Sequence, residues 1–477
     1  MTSARPWLFA ALGIVSVAVY IRWLAIPLSL LRYVDQPLLD VQKILGETPS
    51  GLLFFTATLI VLFLLYFLGY TLVLTLSGRW LPWLVLLPPA AASAALSLMY
   101  PATAADLFQY IWLGRIWALE GQNPFVVTPN MRPDELLYPY TIFRNFPTVY
   151  GPAFIHLSGF LARLGGDDIL RSVIVFKLAM ILSYAVCLVL VYLIVRRAQP
   201  ALAWAAVYVL AWNPLVIFNT AGDGHNDIMM ILLVLLAIYL AQRNQWAEAA
   251  TILVLSASIK WLSLALAPAF LIVALRMIGR RAWYQVGAGL AIGLGLALML
   301  QAPFYAGPAS LVGGIPNIGS MFTASLATAL RDALTPSLGG AEASQAARLT
   351  AYGLFAALYV WQLWRLRGTF DSLVYGAYQI FFIYLVIAAV WFQAWYVVWL
   401  APLAALMVGT PVVERTAIFS YTAMLIHVIL GFGWRLGWFG GSPPMLQLVA
   451  ALVIMVPPLL AWITSEARHP LIMKNAQ

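Results

Sequence analysis

Apolar runs of about twenty residues recur along the whole of this chain, and nothing else in it narrows the fold so far. A run of that length crosses the hydrocarbon core of a bilayer as one helix. Spans are expected near 7–31, 51–76, 80–100, 170–195, 201–219, 228–241, 246–259, 262–275, 283–303, 348–364, 372–391, 395–409, 416–434 and 445–463. Backbone groups in lipid must pair internally, so the runs predict an all-α polytopic bundle of about 12–14 spans rather than an open sheet. A closed barrel would alternate polar and apolar residues, and these segments do not. Charged residues make up 9% of the chain against about 25% in globular proteins, so no water-soluble core accounts for it.

The net charge of +9 tempts a nucleic-acid reading, but its distribution argues against one. With the N-terminus inside, thirteen cations fall on cytoplasmic segments: Arg5, Arg79, Arg196, Arg197, Arg243, Arg276, Arg280, Arg281, Arg365, Arg367, Arg415, Arg468 and Lys474. Four acids share that side: Glu248, Asp371, Glu414 and Glu466. The whole excess is cytoplasmic, which predicts both termini inside. Cys187 is the only cysteine and sits within a span, so no intrachain disulfide forms. The first apolar stretch continues past Arg22 without a small-residue cleavage site and is expected to be a retained anchor.

One membrane domain over 1–477 is expected, with outer segments at 32–50, 101–169, about 220–227 and 304–347. The inner loops are short and leave little room for a nucleotide-binding domain. Chemistry is therefore expected at the outer face.

Asp106 opens the longest polar stretch, just after the run from Trp80 to Tyr100. A carboxylate where a membrane helix meets water is a functional hypothesis by default. The bland alternative is a helix cap, with Thr103 as N-cap and Asp106 at the third helical position. The helix that follows carries Trp112 and Trp117 and would lie in the interface plane. Residues 138–154 alternate prolines, aromatics and one arginine, which does not suit a helix, and Tyr150-Gly151-Pro152 is a turn signal. Aromatic rings there could stack on sugars or anchor the interface, and Arg144 could pair with a phosphate.

Gly222-Asp223-Gly224-His225-Asn226-Asp227 is the densest polar cluster and exceeds what a turn needs. His225 and Asp227 could coordinate a divalent cation, although one histidine and one or two carboxylates make an incomplete site. Lys260 lies between two short spans, and Pro268 interrupts the second. A hairpin of broken helices would carry Lys260 into the membrane from outside; a single kinked helix with a snorkelling lysine is the alternative. Lys260 and Arg331 are candidate partners of an anionic ligand, or Lys260 pairs with Asp223 or Asp227. Gly287, Gly289, Gly293 and Gly295 sit within an apolar span and read as close helix packing rather than a dinucleotide loop. His156 and His427 have no sequence partner and receive no role.

In order along roughly 80–405, the chain shows Asp106-Leu-Phe-Gln-Tyr110, Gly121-Gln-Asn-Pro-Phe125, Tyr150-Gly-Pro152, Asn213-Pro214, His225-Asn-Asp227, Ser258-Ile-Lys260 and Trp395-Tyr396. This pattern resembles the GT-C superfamily of membrane glycosyltransferases, and within it the polyprenyl-phosphomannose-dependent α-mannosyltransferases of cell-envelope mannan synthesis. The resemblance implies a GT-C-like fold whose outer loops hold the active site. It implies transfer of a sugar, read as mannose, from a polyprenyl-phosphate donor to an envelope glycan or glycolipid, with inversion. Asp106 would be the general base. Lys260, Arg331 or Arg144 would meet the donor phosphate. His225, Asn226, Asp227, Asp223, Tyr110, Tyr150 and Trp395 would contact sugar or acceptor. A transporter or flippase of lipid-linked saccharides is the alternative, but no internal repeat supports it and the polar residues gather at one face.

Overall fold

The computed structural model describes residues 4–468, so Lys474 lies outside the described residues. Helices dominate, and among the described residues there is no β-strand beyond two isolated bridges. Eight helices are long and apolar enough to cross a membrane: α1 Arg5–Ala25, α2 Pro49–Val73, α6 Ile169–Ala198, α11 Trp261–Ile278, α12 Arg281–Phe304, α15 Phe370–Ala388, α17 Pro411–Arg435 and the last, whose helical run is α18 Pro443–Arg468. Taken together, α7 Pro200–Ala211 and α8 Pro214–Gly222 are also long and apolar enough, but they are bent by 54° at the break between them. Shorter apolar helices complete the set: α3 Leu81–Leu96, α9 Asp227–Gln242, α10 Trp246–Ala257 and α16 Ala394–Ala405. Every expected segment coincides with a helix, the one near 348–364 falling within α14 Gly340–Arg365, but eight of them, or nine with the bent pair, are long and apolar enough to cross, fewer than the 12–14 expected. This is an all-α polytopic membrane protein.

Lipid explains a surface that water would not tolerate. Leu64, Leu182 and Ile292 are exposed on helices of that apolar character. Among the eight long spans, α15 and α17 are the most enclosed. Arg415, expected in a cytoplasmic loop, is instead buried on α17 with its guanidinium 4.9 Å from the Tyr378 ring and 4.8 Å from Phe382. Of the four expected packing glycines, two behave so: a Cβ at Gly289 would strike the Ala247 carbonyl and one at Gly293 would crowd Val254, while Gly287 and Gly295 face open space.

Two helices outside the spans shape the site. α4 Asp106–Ala118 packs against α5 Pro152–Gly165. Residues 106–116 are all buried, so the aromatic face of α4 rests on protein rather than in a lipid interface. Arg115 fastens this pair: its Nε donates to Glu135 at 2.5 Å and its Nη groups to the Gly166 carbonyl at 2.5 Å and Asp167 at 2.9 Å. Burial pushes the Glu135 carboxyl up, and Arg115 opposes that shift.

Candidate active site

Asp106 is the first residue of α4, not the third, and Thr103 does not cap the helix. The Thr103 hydroxyl and backbone N–H both donate to Asp223 instead. Freed from capping, the buried Asp106 carboxylate lines a cavity of about 490 Å³. Burial raises its pKa to about 7, against the pull of Lys260 and with a further push from Asp227.

The polar cluster is delivered by a local distortion. Asn213 accepts from the N–H groups of Leu215 and Val216, which starts α8 after the kink at Pro214. The chain then widens into a π-turn over Phe218–Gly222. Gly224 takes φ +75°, where a Cβ would meet Leu107 at 2.9 Å and the Lys177 stem at 3.4 Å. That backbone turns His225 toward Asp106, with Nδ1 3.8 Å from the Asp106 carboxylate. The His225 ring lies on Trp395, centroids 4.1 Å apart and planes at 17°. Burial, then Lys260, hold its pKa well below the usual histidine value, so the imidazole is neutral. Tyr110 Oη donates to Asn226 at 3.2 Å and its ring meets Tyr150 edge-on at 5.0 Å.

Asp227 is fully engaged. One oxygen accepts from Lys260 Nζ at 2.6 Å and the other from Trp399 Nε1 at 2.5 Å. Lys260 stands in extended backbone at the break between α10 and α11, held there because the preceding Ser258 and Ile259 carbonyls accept from the N–H groups of Ala153 and Gly151. Its ammonium lies 5.8 Å from both the Tyr150 and Tyr396 rings and lines the same cavity as Asp106. Pairing with Asp227 uses one of three N–H donors. Both Asp227 oxygens are thus occupied, and among the described residues no group of three His, Cys, Asp or Glu is placed to hold a metal ion.

The remaining candidates divide. Tyr150 and Trp395 line the cavity, whereas Tyr110, Asp223, His225, Asn226 and Asp227 are buried behind its wall and do not. Arg144 is spent on its own loop, donating to the Thr141 and Pro139 carbonyls at 3.0 and 3.3 Å beneath the Tyr138 ring. Arg331 grips Asp332 at 2.5 Å. Neither arginine lines the cavity. His156, left without a role, bonds the Leu300 carbonyl at 2.9 Å. Sequence reasoning passed over Trp399 and Gln109. Trp399 sits within an apolar run and gives no signal. Gln109 follows Asp106 by one helical turn, which puts it on the same face. It lines the cavity, and its buried Oε1 has no partner, as is also true of both His225 ring nitrogens and the Asn226 amide nitrogen. Of these unpaired atoms, Gln109 Oε1 faces the cavity and suits a polar ligand.

Over 167 residues the chain is 26% identical to alpha-(1->6)-mannopyranosyltransferase A of Corynebacterium glutamicum, covering 34% of this chain and 32% of that protein. Over 159 residues it is 28% identical to alpha-(1->6)-mannopyranosyltransferase A of Mycobacterium tuberculosis, covering 32% and 29%. It is 24% identical over 175 residues to alpha-(1->6)-mannopyranosyltransferase B of C. glutamicum, covering 34% and 29%. The chain thus spans about a third of the length of these relatives in each match. The family model described as alpha-(1->6)-mannopyranosyltransferase, N-terminal domain, matches residues 10–276, more than half of the chain, and the chain belongs to that family.

Proposed function

We propose that this protein transfers mannose from a polyprenyl-phosphate donor to a glycan or glycolipid acceptor at the extracytoplasmic face of the cell membrane. The observation that carries the reading is an ionisable carboxylate, Asp106, and an ammonium, Lys260, on one cavity wall. An acceptor hydroxyl attacks the anomeric carbon, and the bond from that carbon to the phosphate oxygen breaks. Asp106 takes the hydroxyl proton, and polyprenyl phosphate leaves. A single-displacement attack inverts the anomeric centre. A pKa of about 7 suits a base working near neutral pH. The two uncommitted N–H donors of Lys260 answer the charge gathering on the leaving phosphate. Tyr150 and Trp395 offer ring faces, and the unpaired Gln109 Oε1 a hydrogen-bond acceptor, for sugars. The names of the relatives support mannose, and the inward excess of cations supports the outer face.

The test is direct. Purified protein is given polyprenyl-phosphomannose and a synthetic mannoside, and released polyprenyl phosphate is measured. Wild type releases it, and Asp106→Asn, nearly isosteric, loses at least about a hundredfold in rate. Full activity in that variant removes the base.

A further inference from the structure

Lys177 is a lysine within a membrane span, fully buried, and outside the cavity. An ionisable residue at that depth needs both a partner and a reason. Its Nζ donates to the Leu96 carbonyl at 3.3 Å and to the Met99 carbonyl. Leu96 ends α3, where helix carbonyls lose their intrahelical donors. Lys177 therefore caps α3 from a neighbouring helix and supplies the positive charge that Asp223 feels. Asp223 in turn receives two hydrogen bonds from Thr103, three residues before Asp106. The Lys177 stem and Leu107 are the atoms nearest to where a Cβ would sit on Gly224, between Asp223 and His225.

The link 97–105 is irregular backbone between two helices, and such backbone persists at membrane depth only when protein encloses it. Here it is stapled along its length. Leu30 N–H donates to the Leu98 carbonyl at 2.7 Å, Tyr100 N–H to the Leu28 carbonyl at 2.6 Å, and Val41 N–H to the Ala102 carbonyl at 2.8 Å. Two ionisable side chains add to these staples, Lys177 at its start and Asp223 near its end. The geometry points to Lys177 and Asp223 as positioning residues, which hold this link at both ends and so set where the Asp106 carboxylate stands in the cavity. Neither touches the reacting atoms. The inference rests on Asp106 being the base, and it assigns Asp223 to the link rather than to sugar.

Thr103→Val removes the hydroxyl that Asp223 accepts from and keeps the side-chain shape; Thr103→Ser restores the hydroxyl. Both are assayed with polyprenyl-phosphomannose and octyl mannoside. Thr103→Val is expected to lower kcat at least tenfold, with KM for each substrate within twofold, and Thr103→Ser to return kcat to within threefold of wild type. Unchanged kcat in Thr103→Val, a loss confined to KM, or no recovery in Thr103→Ser overturns the positioning role. If wild type itself transfers no sugar, the proposed function fails and positioning is read without turnover. Cys187 is buried, so in Asp106→Cys a water-soluble maleimide reports the single engineered thiol. Adding Thr103→Val or Lys177→Met to that variant is expected to change its alkylation rate at least threefold, and an unchanged rate overturns the inference.

Discussion

Asp106 owes its chemistry to what surrounds it. Burial favours its protonated form, Lys260 favours the carboxylate, and the balance settles at about 7. A base must be ionised to act, so turnover is expected to rise with pH, reach half its maximum near pH 7 and level off above it. Lys260→Met removes the favourable charge and leaves Asp227 without its ammonium. Both changes disfavour the Asp106 carboxylate, so the midpoint moves upward. A profile of kcat against pH in the two proteins checks the direction, and a midpoint that stays put or falls separates Lys260 from the base. His225 contributes no second limb over this range, because its enclosed ring is held neutral.

Among the elements, α4 carries Asp106, the proposed base, and one arginine ties α4 and α5 to the turns beyond. Replacing Arg115 by Leu leaves Glu135 buried without its cation, and breaking such a pair costs about 3–5 kcal/mol. The expected result is a lower melting temperature in detergent and faster proteolysis between residues 120 and 150. The helices themselves were legible because their apolar runs are long and uninterrupted, and lipid imposes few other solutions. The polar mouth at 222–227 was legible because its residues exceed what a turn uses. The cap at Thr103 was not, since a hydroxyl with two suitors looks the same in sequence whether it serves its own helix or a distant carboxylate. Arg144 and Arg331 failed to reach the cavity for a similar reason: local partners satisfied them first. Trp399 was hidden because an indole donor inside an apolar helix adds nothing to hydropathy that a phenyl ring would not.

At the scale of the molecule, the charge bias and the site lead to one topological prediction. Single cysteines introduced into a Cys187→Ser background at 132, within 101–169, and at 305, within 304–347, are expected to react with an impermeant reagent from outside intact cells, and one at 280 only after permeabilisation. The opposite pattern places the cavity on the cytoplasmic side and ends the proposed function. The cavity also draws on most of the chain. Asp106 comes early, Lys260 sits at a helix break midway, and Trp395, Tyr396 and Trp399 arrive long after the family match ends at residue 276. Asp227 is satisfied only when a lysine and a tryptophan 139 residues apart have both arrived, the latter from α16. During synthesis the ribosome therefore releases a base, an imidazole and a half-paired carboxylate into the translocon well before their last wall exists. The chamber stays open on that side until α16 inserts.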